Sequence, residues 1–237
     1  FLLSGLFSAQ EVARAFGQAV GPAGFPGQGI DYEAYWRHRG AGGVHPRFVI
    51  IARGVGDGQS VLDVGCGDGS LLGYLKSSRH VRERGVDVSA TGVALARASG
   101  LDARVGLLGA PGTVDPGELF DHVVLTEVIE HVADAEGLLR QVWSHTRCSL
   151  WVTFPNIAYF PHRWRLALGR FPVQWVVFPG EHLRFWSVPD FREWAVGVGL
   201  PSPATLPSNG IVFGNLHRAW PNLLANQVVM RFDRPAA

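Results

Sequence analysis

The stretch VLDVGCGDGS, residues 61–70, decides how this chain is read. It begins as a short apolar run closed by glycine, the pattern of a buried strand, and carries Asp63 to the strand's end. The chain then turns through Gly65, Gly67 and Gly69 and enters SLLGYLKSS (70–78), which is spaced as a helix. Glycines at such a junction let the backbone bend tightly and let a ligand approach it closely. The spacing is G-x-G-x-G, with acids at 63 and 68. Two acids disfavour a pyrophosphate, which seeks a bare helix N-terminus, and suit a cation or a hydroxyl-bearing ligand.

Working outward, RGVDVS (84–89) reads as a second strand whose tip, Asp87, follows Gly69 by 18 residues. An acid there can accept both ribose hydroxyls of a nucleoside. ATGVALARASG (90–100) is helical and closed by Gly100, and DARVGLL (102–108) is a third strand. FDHVVLTEVIEHV (120–132) starts as a strand and passes into a loop or helix. DAEGLLRQVWSHT (134–146) is a helix with Asp134 at its N-cap, and CSLWVTFPN (148–156) is another strand. This alternation predicts a doubly wound, mostly parallel α/β sheet. VPDFREWAVGVGL (188–200) reads as a late helix, and GIVFGN (210–215) and NQVVMRFDR (226–234) as a hairpin added to the sheet edge. Upstream, HPRFVIIARGV (45–55) and DYEAYWRHRG (31–40) have helical character, 17–30 is a Gly/Pro linker, and FLLSGLFSAQEVARAF is an amphipathic helix.

At 237 residues the chain suits one ordinary domain with decoration. The expected division is a helical extension, or lid, with its linker over 1–44, and a domain over 45–237 with an aromatic insertion at about 157–187. With 21 basic and 20 acidic residues the net charge is +1, which supplies no bulk drive toward nucleic acid. Cys66 and Cys148 are the only cysteines, too few for a four-thiolate zinc site or a disulfide framework, so no resident metal and a reducing cytoplasmic setting are expected. No apolar run approaches the roughly 20 residues of a membrane helix. Residues 159–194 hold ten of the 26 aromatics, a concentration that fits a substrate cover or a protein interface.

VLDVGCGDG, GVDVS and FDHVVLTEVIEHV resemble the motif series of class I S-adenosylmethionine-dependent methyltransferases. FPNIAYFPHRWRLALGRFPV (154–173), EHLRFWSVPDF (181–191) and WPNLLANQVVM (220–230) resemble the methionine biosynthesis protein MetW and its relatives. The resemblance implies a seven-stranded sheet that binds S-adenosylmethionine and releases S-adenosylhomocysteine. On that basis Gly65 and Gly67, with Cys66 between them, line the methionine part and Asp63 meets its amino group. Asp87 holds the ribose, Val88 packs on adenine, and Thr126 and Glu127 lie beside the sulfonium. The family's third strand usually ends in an acid that contacts adenine. Leu107, followed by Leu108, stands there instead, leaving apolar stacking and backbone amides to hold the ring.

Methyl transfer chiefly requires alignment of donor and acceptor, with a base for some oxygen or nitrogen acceptors. His131, four residues after Glu127, and His182, between Glu181 and Arg184, are the candidate catalytic histidines. Asn156 at the site mouth, Arg184 as a carboxylate clamp, and a lid formed by Tyr32, Tyr35, Trp36 and Arg37 are the candidate substrate contacts. The resulting expectation is methylation of a small molecule. The alternative is a MetW-like accessory subunit that binds the cofactor and partners a homoserine acyltransferase. Self-association as a homodimer is also compatible. A dinucleotide-type enzyme is disfavoured by the acid-flanked turn.

Overall fold

The computed structural model describes residues 32–38, 43–173, 175, 181–211 and 216–235. The expected helix and linker over 1–30 therefore lie outside the described residues. Two helices come first, α1 (Tyr32–His38) and α2 (Pro46–Gly54). Alternation follows: β1 (Ser60–Val64), α3 (Ser70–Arg79), β2 (Arg82–Asp87), α4 (Ala90–Ala98), β3 (Ala103–Val105) and β4 (Phe120–Thr126). A 3-10 turn (Ile129–His131) leads to α5 (Ala135–Ser144), β5 (Thr146–Pro155), α6 (Phe160–Ala167) and α7 (Val188–Val198). The chain then forms β6 (Ala204–Gly210), two one-turn helices α8 (Leu216–Ala219) and α9 (Pro221–Leu224), and β7 (Ala225–Asp233).

The seven strands lie in the order β3-β2-β1-β4-β5-β7-β6. Those from β3 to β5 are parallel, and β7 pairs antiparallel with both β5 and β6. A parallel sheet must be covered on both faces, so its central strands are mostly apolar. Alternate side chains feed two cores. Leu62, Val123, Leu125, Leu150, Val152 and Phe154 pack under α5 and α7, whereas Val61, Val124 and Trp151 pack under α2, α3 and α4. Caps fix the helix starts: Ser89, Asp134 and Ser187 each accept a backbone N–H three residues ahead.

One expected strand is displaced. Beside β7 the chain pairs ATLPSNG (204–210) rather than GIVFGN; Gly210 ends β6, and residues 212–215 lie outside the described set. ATLPSNG carries Pro207 and turn-forming residues, which hide a strand from a propensity reading. An edge strand tolerates them because only one of its sides is hydrogen-bonded.

The aromatic stretch divides in two. Trp186 and Phe191 join Phe154 and Phe232 in the core, with Phe154 and Phe191 stacked 4.2 Å apart. Phe160, Trp164 and Leu168, spaced by four along α6 and its C-cap, remain about half exposed.

Candidate active site

The sheet reverses its strand order between β1 and β4. In an open α/β sheet, a crevice for ligands forms beyond the carboxyl ends of the strands at that point. A cavity of about 690 Å³ lies there.

The glycine turn forms its floor. Gly65 has φ +82° and Gly67 φ +52°, and a Cβ on Gly67 would collide with the Trp36 ring. Glycine is therefore required both for the bend and for the close approach of α1. Asp87 braces the turn: one carboxylate oxygen accepts from Gly67 N (2.8 Å) and the other from Ser89 N (2.8 Å). Each oxygen keeps a further lone pair. Val88 and Leu107 are 59% and 70% exposed at the cavity, and Leu108 is buried behind them. Cys66 is buried against Gly85, with its thiol held protonated by burial and by Asp63.

Asp63 is the unusual group of the floor. It is 1% exposed, and its Oδ1 has no hydrogen-bond partner among the described residues. Burial, and then the charge of Asp87, raise its pKa to about 7. Asp68, by contrast, is occupied, accepting from Ser70 N and Oγ.

The far wall comes from the end of β4. Glu127 adopts φ +56°, a sparsely populated conformation for this residue. Thr153 Oγ1 holds it, accepting from its N–H and donating to its carboxylate. The chain then tightens into a 3-10 turn, so Glu127 and His131, although four residues apart, do not share an α-helical face. His131 lines the cavity and donates through Nδ1 to Glu181 O (2.7 Å). His182 sits behind it, with ring centroids 4.5 Å apart. Burial lowers both histidines, His182 to about 4, and each is neutral at pH 7.

Tyr35 and Trp36 of α1 also line the cavity. The Glu33 carboxylate pins α1 by accepting from Ala90 N and Thr91 N at the start of α4. Arg37 donates to Glu33 O within α1. Tyr32 opens α1, but its side chain lies outside the described set.

A family model described as methionine biosynthesis protein MetW matches residues 45–232. The chain belongs to the MetW family. A ubiquinone biosynthesis O-methyltransferase of Rhizobium johnstonii is 38% identical over 86 residues, 34% of this chain and 34% of that protein. The bifunctional methionine biosynthesis protein MetXA/MetW of Rhodopirellula baltica is 29% identical over 154 residues, 57% of this chain and 24% of that protein. The chain thus spans about a third of the length of the first and a quarter of the second. One chain in a solved complex between the Haloferax volcanii Trm112 methyltransferase activator and a methyltransferase matches with a TM-score of 0.59 at 18% identity, covering 87% of this chain and 98% of that one. That likeness is one of fold.

Two expected substrate contacts in this MetW-family chain are corrected. Asn156 is fully buried: its Nδ2 donates to Asn222 O and Ala225 O, and its Oδ1 accepts from Ala158 N. It fastens the end of β5 to the α9–β7 connection and has no face on the cavity. Arg184 is not among the residues that line the cavity; it pairs with Glu136 and donates to Ala133 O. Conversely, Arg47 and Phe48 at the start of α2 line the cavity and were not singled out in the sequence. The only signal was a basic residue in the first turn of the helix preceding β1. No helix among the described residues is long and apolar enough to cross a membrane.

The raised Asp63 pKa has a consequence for stability. In the folded state it retains its proton up to about pH 7, whereas its ordinary value is 3.8. Its contribution is therefore full below about pH 4 and is lost as pH rises to 7. The urea midpoint of ligand-free Asp63→Asn, measured relative to wild type, is expected to improve steadily across that window. A constant difference between the two proteins would show that Asp63 ionises normally.

Proposed function

We propose that this MetW-family protein is an S-adenosylmethionine-dependent methyltransferase acting on a small molecule. The observation that carries the reading is the buried, partly unpartnered Asp63 carboxylate at the end of β1, opposite Asp87 across a glycine turn. A fully desolvated acid of this kind is costly to hold without a cation, and an α-ammonium group supplies one. Asp87 offers its remaining lone pairs to two ribose hydroxyls. Val88 and Leu107, exposed and apolar, suit the faces of a flat base, in keeping with the missing acid at 107. These residues fit the cofactor. When bound, it supplies a methyl group activated by a sulfonium.

The chain's own residues do the rest. Glu127 and Thr126 border the region where the sulfonium would sit, and the neutral His131 imidazole faces the same cavity. The Nδ1–H of His131 is committed to Glu181 O, which fixes the orientation of the ring at the cavity wall. Tyr35 and Trp36, pinned by Glu33, close one side against water. The test is mass spectrometry of the ligand retained by the purified protein, followed by methyl transfer from isotope-labelled S-adenosylmethionine to hydroxylated small molecules. Retention of the cofactor or its demethylated product, together with a labelled product, is expected. A protein that binds neither compound would defeat the reading.

The second reading is an accessory subunit that partners a homoserine acyltransferase. The half-exposed Phe160–Trp164–Leu168 stripe favours it, because aromatic surfaces are enriched at protein interfaces, as does the fused organisation named for the Rhodopirellula relative. Cofactor binding without turnover, combined with an acyltransferase complex lost in Trp164→Glu, would select it.

A further inference from the structure

Behind the wall formed by His131, the 3-10 turn places Glu130 on the interior side. Its carboxylate is 1% exposed, and neither oxygen has a hydrogen-bond partner among the described residues. A buried carboxylate left this way is costly unless a proton or a cation neutralises it. Glu127 and Glu181 are near enough to add negative charge, and Arg47 offsets least of all. Two imidazoles complete the surroundings. His131 Nε2 lies 3.9 Å from Glu130 Oε1, and one donor atom from each of Glu130, His131 and His182 falls within 4.8 Å of the others.

We infer that Glu130, His131 and His182 form a binding site for a divalent first-row transition ion. Two imidazoles and one carboxylate are a donor set for ions of the manganese, iron and zinc kind, leaving coordination positions open. His131 is already oriented for this. Its Nδ1–H is held by a backbone carbonyl, the outer contact that directs Nε2 toward a metal. His182 must exchange a partner, since its Nδ1 accepts from Trp175 Nε1 (3.1 Å). A neutral imidazole that ligates through either nitrogen cannot also accept that hydrogen bond, so metal binding frees the indole. The expectation of no resident metal rested on the cysteine count, which does not register a site gathered from residues 130–131 and 182.

His131 and Glu181 also line the cavity, so the ion's open positions would border the acceptor's place and suit a hydroxyl-bearing acceptor. That last step rests on the methyl-transfer reading; metal binding does not. The test is therefore a titration of the purified full chain with Co²⁺, followed by visible absorption and calorimetry, without substrate. Wild type is expected to bind one equivalent. Glu130→Gln, which keeps the shape, and His182→Ala are each expected to weaken binding at least tenfold. Trp175→Phe, which removes the competing donor, is expected to bind as tightly as wild type or more so. Thermal melting and S-adenosylhomocysteine affinity verify that each variant is folded. Absence of Co²⁺ binding by folded wild type, or binding unchanged in both Glu130→Gln and His182→Ala, overturns the site whether or not the protein methylates anything.

Discussion

Asp87→Ala is expected to weaken binding of S-adenosylhomocysteine by about ten- to a hundredfold, the equivalent of losing a charge-assisted hydrogen bond worth roughly 1.5–3 kcal/mol. The carboxylate has two tasks that act in the same direction. It braces the turn through Gly67 N and Ser89 N, and it offers its remaining lone pairs to the ribose. Asp87→Asn separates them. An amide has one acceptor oxygen, so it can satisfy one of the two N–H groups while turning its own donors toward the other. Its affinity should fall between those of wild type and the alanine variant. Calorimetric titration decides the matter, and an unchanged dissociation constant for Asp87→Ala would remove Asp87 from the cofactor site.

Trp151→Ala is expected to be the most damaging single change to stability, about 3–5 kcal/mol. For a chain of this size that corresponds to a fall in Tm of roughly 6–20 °C. The ring is 1% exposed on β5, beneath α2, where it packs against Gly54. It also donates from Nε1 to His122 Nδ1 at 3.2 Å, and Arg231 lies 5.5 Å from the ring centre. Truncation leaves a cavity on the central sheet that a backbone paired on both sides cannot collapse to fill. It also leaves the buried His122 Nδ1 without its donor, although Nε2 keeps its hydrogen bond to Gln59 Oε1. Trp151→Phe keeps most of the volume and loses the hydrogen bond, so it should cost a fraction of that amount. A Tm within 2 °C of wild type for the alanine variant would contradict this packing.

Much of the molecule was legible in the sequence because the relevant physics is local. A buried parallel strand is an unbroken apolar run, a helix start is a capping side chain, and a tight strand–helix junction is a set of glycines. VLDVGCGDGS carries all of these within ten residues, and Asp87 lies at the tip of the neighbouring strand. The doubly wound sheet and the glycine turn of the cavity floor follow from such short-range patterns. What required the tertiary structure was pairing across long separations. ATLPSNG is a strand only because β7 offers it an edge. Asn156 and Arg184 have residue types that suit a binding site, but their partners at 222, 225 and 136 had already claimed them. Arg47 reaches the cavity from a helix whose sequence marks it only as a basic residue in the first turn. Glu130 and His182, 52 residues apart, meet only because the segment after α6 folds back onto the 3-10 turn, where Leu183 N donates to Glu130 O. Sequence patterning determined the parallel strands and the capped helices between them, and which of their side chains face a core. Only the packing of those elements decided which polar groups were left without partners, because a hydrogen bond or a desolvated charge depends on what lies across the fold rather than along the chain.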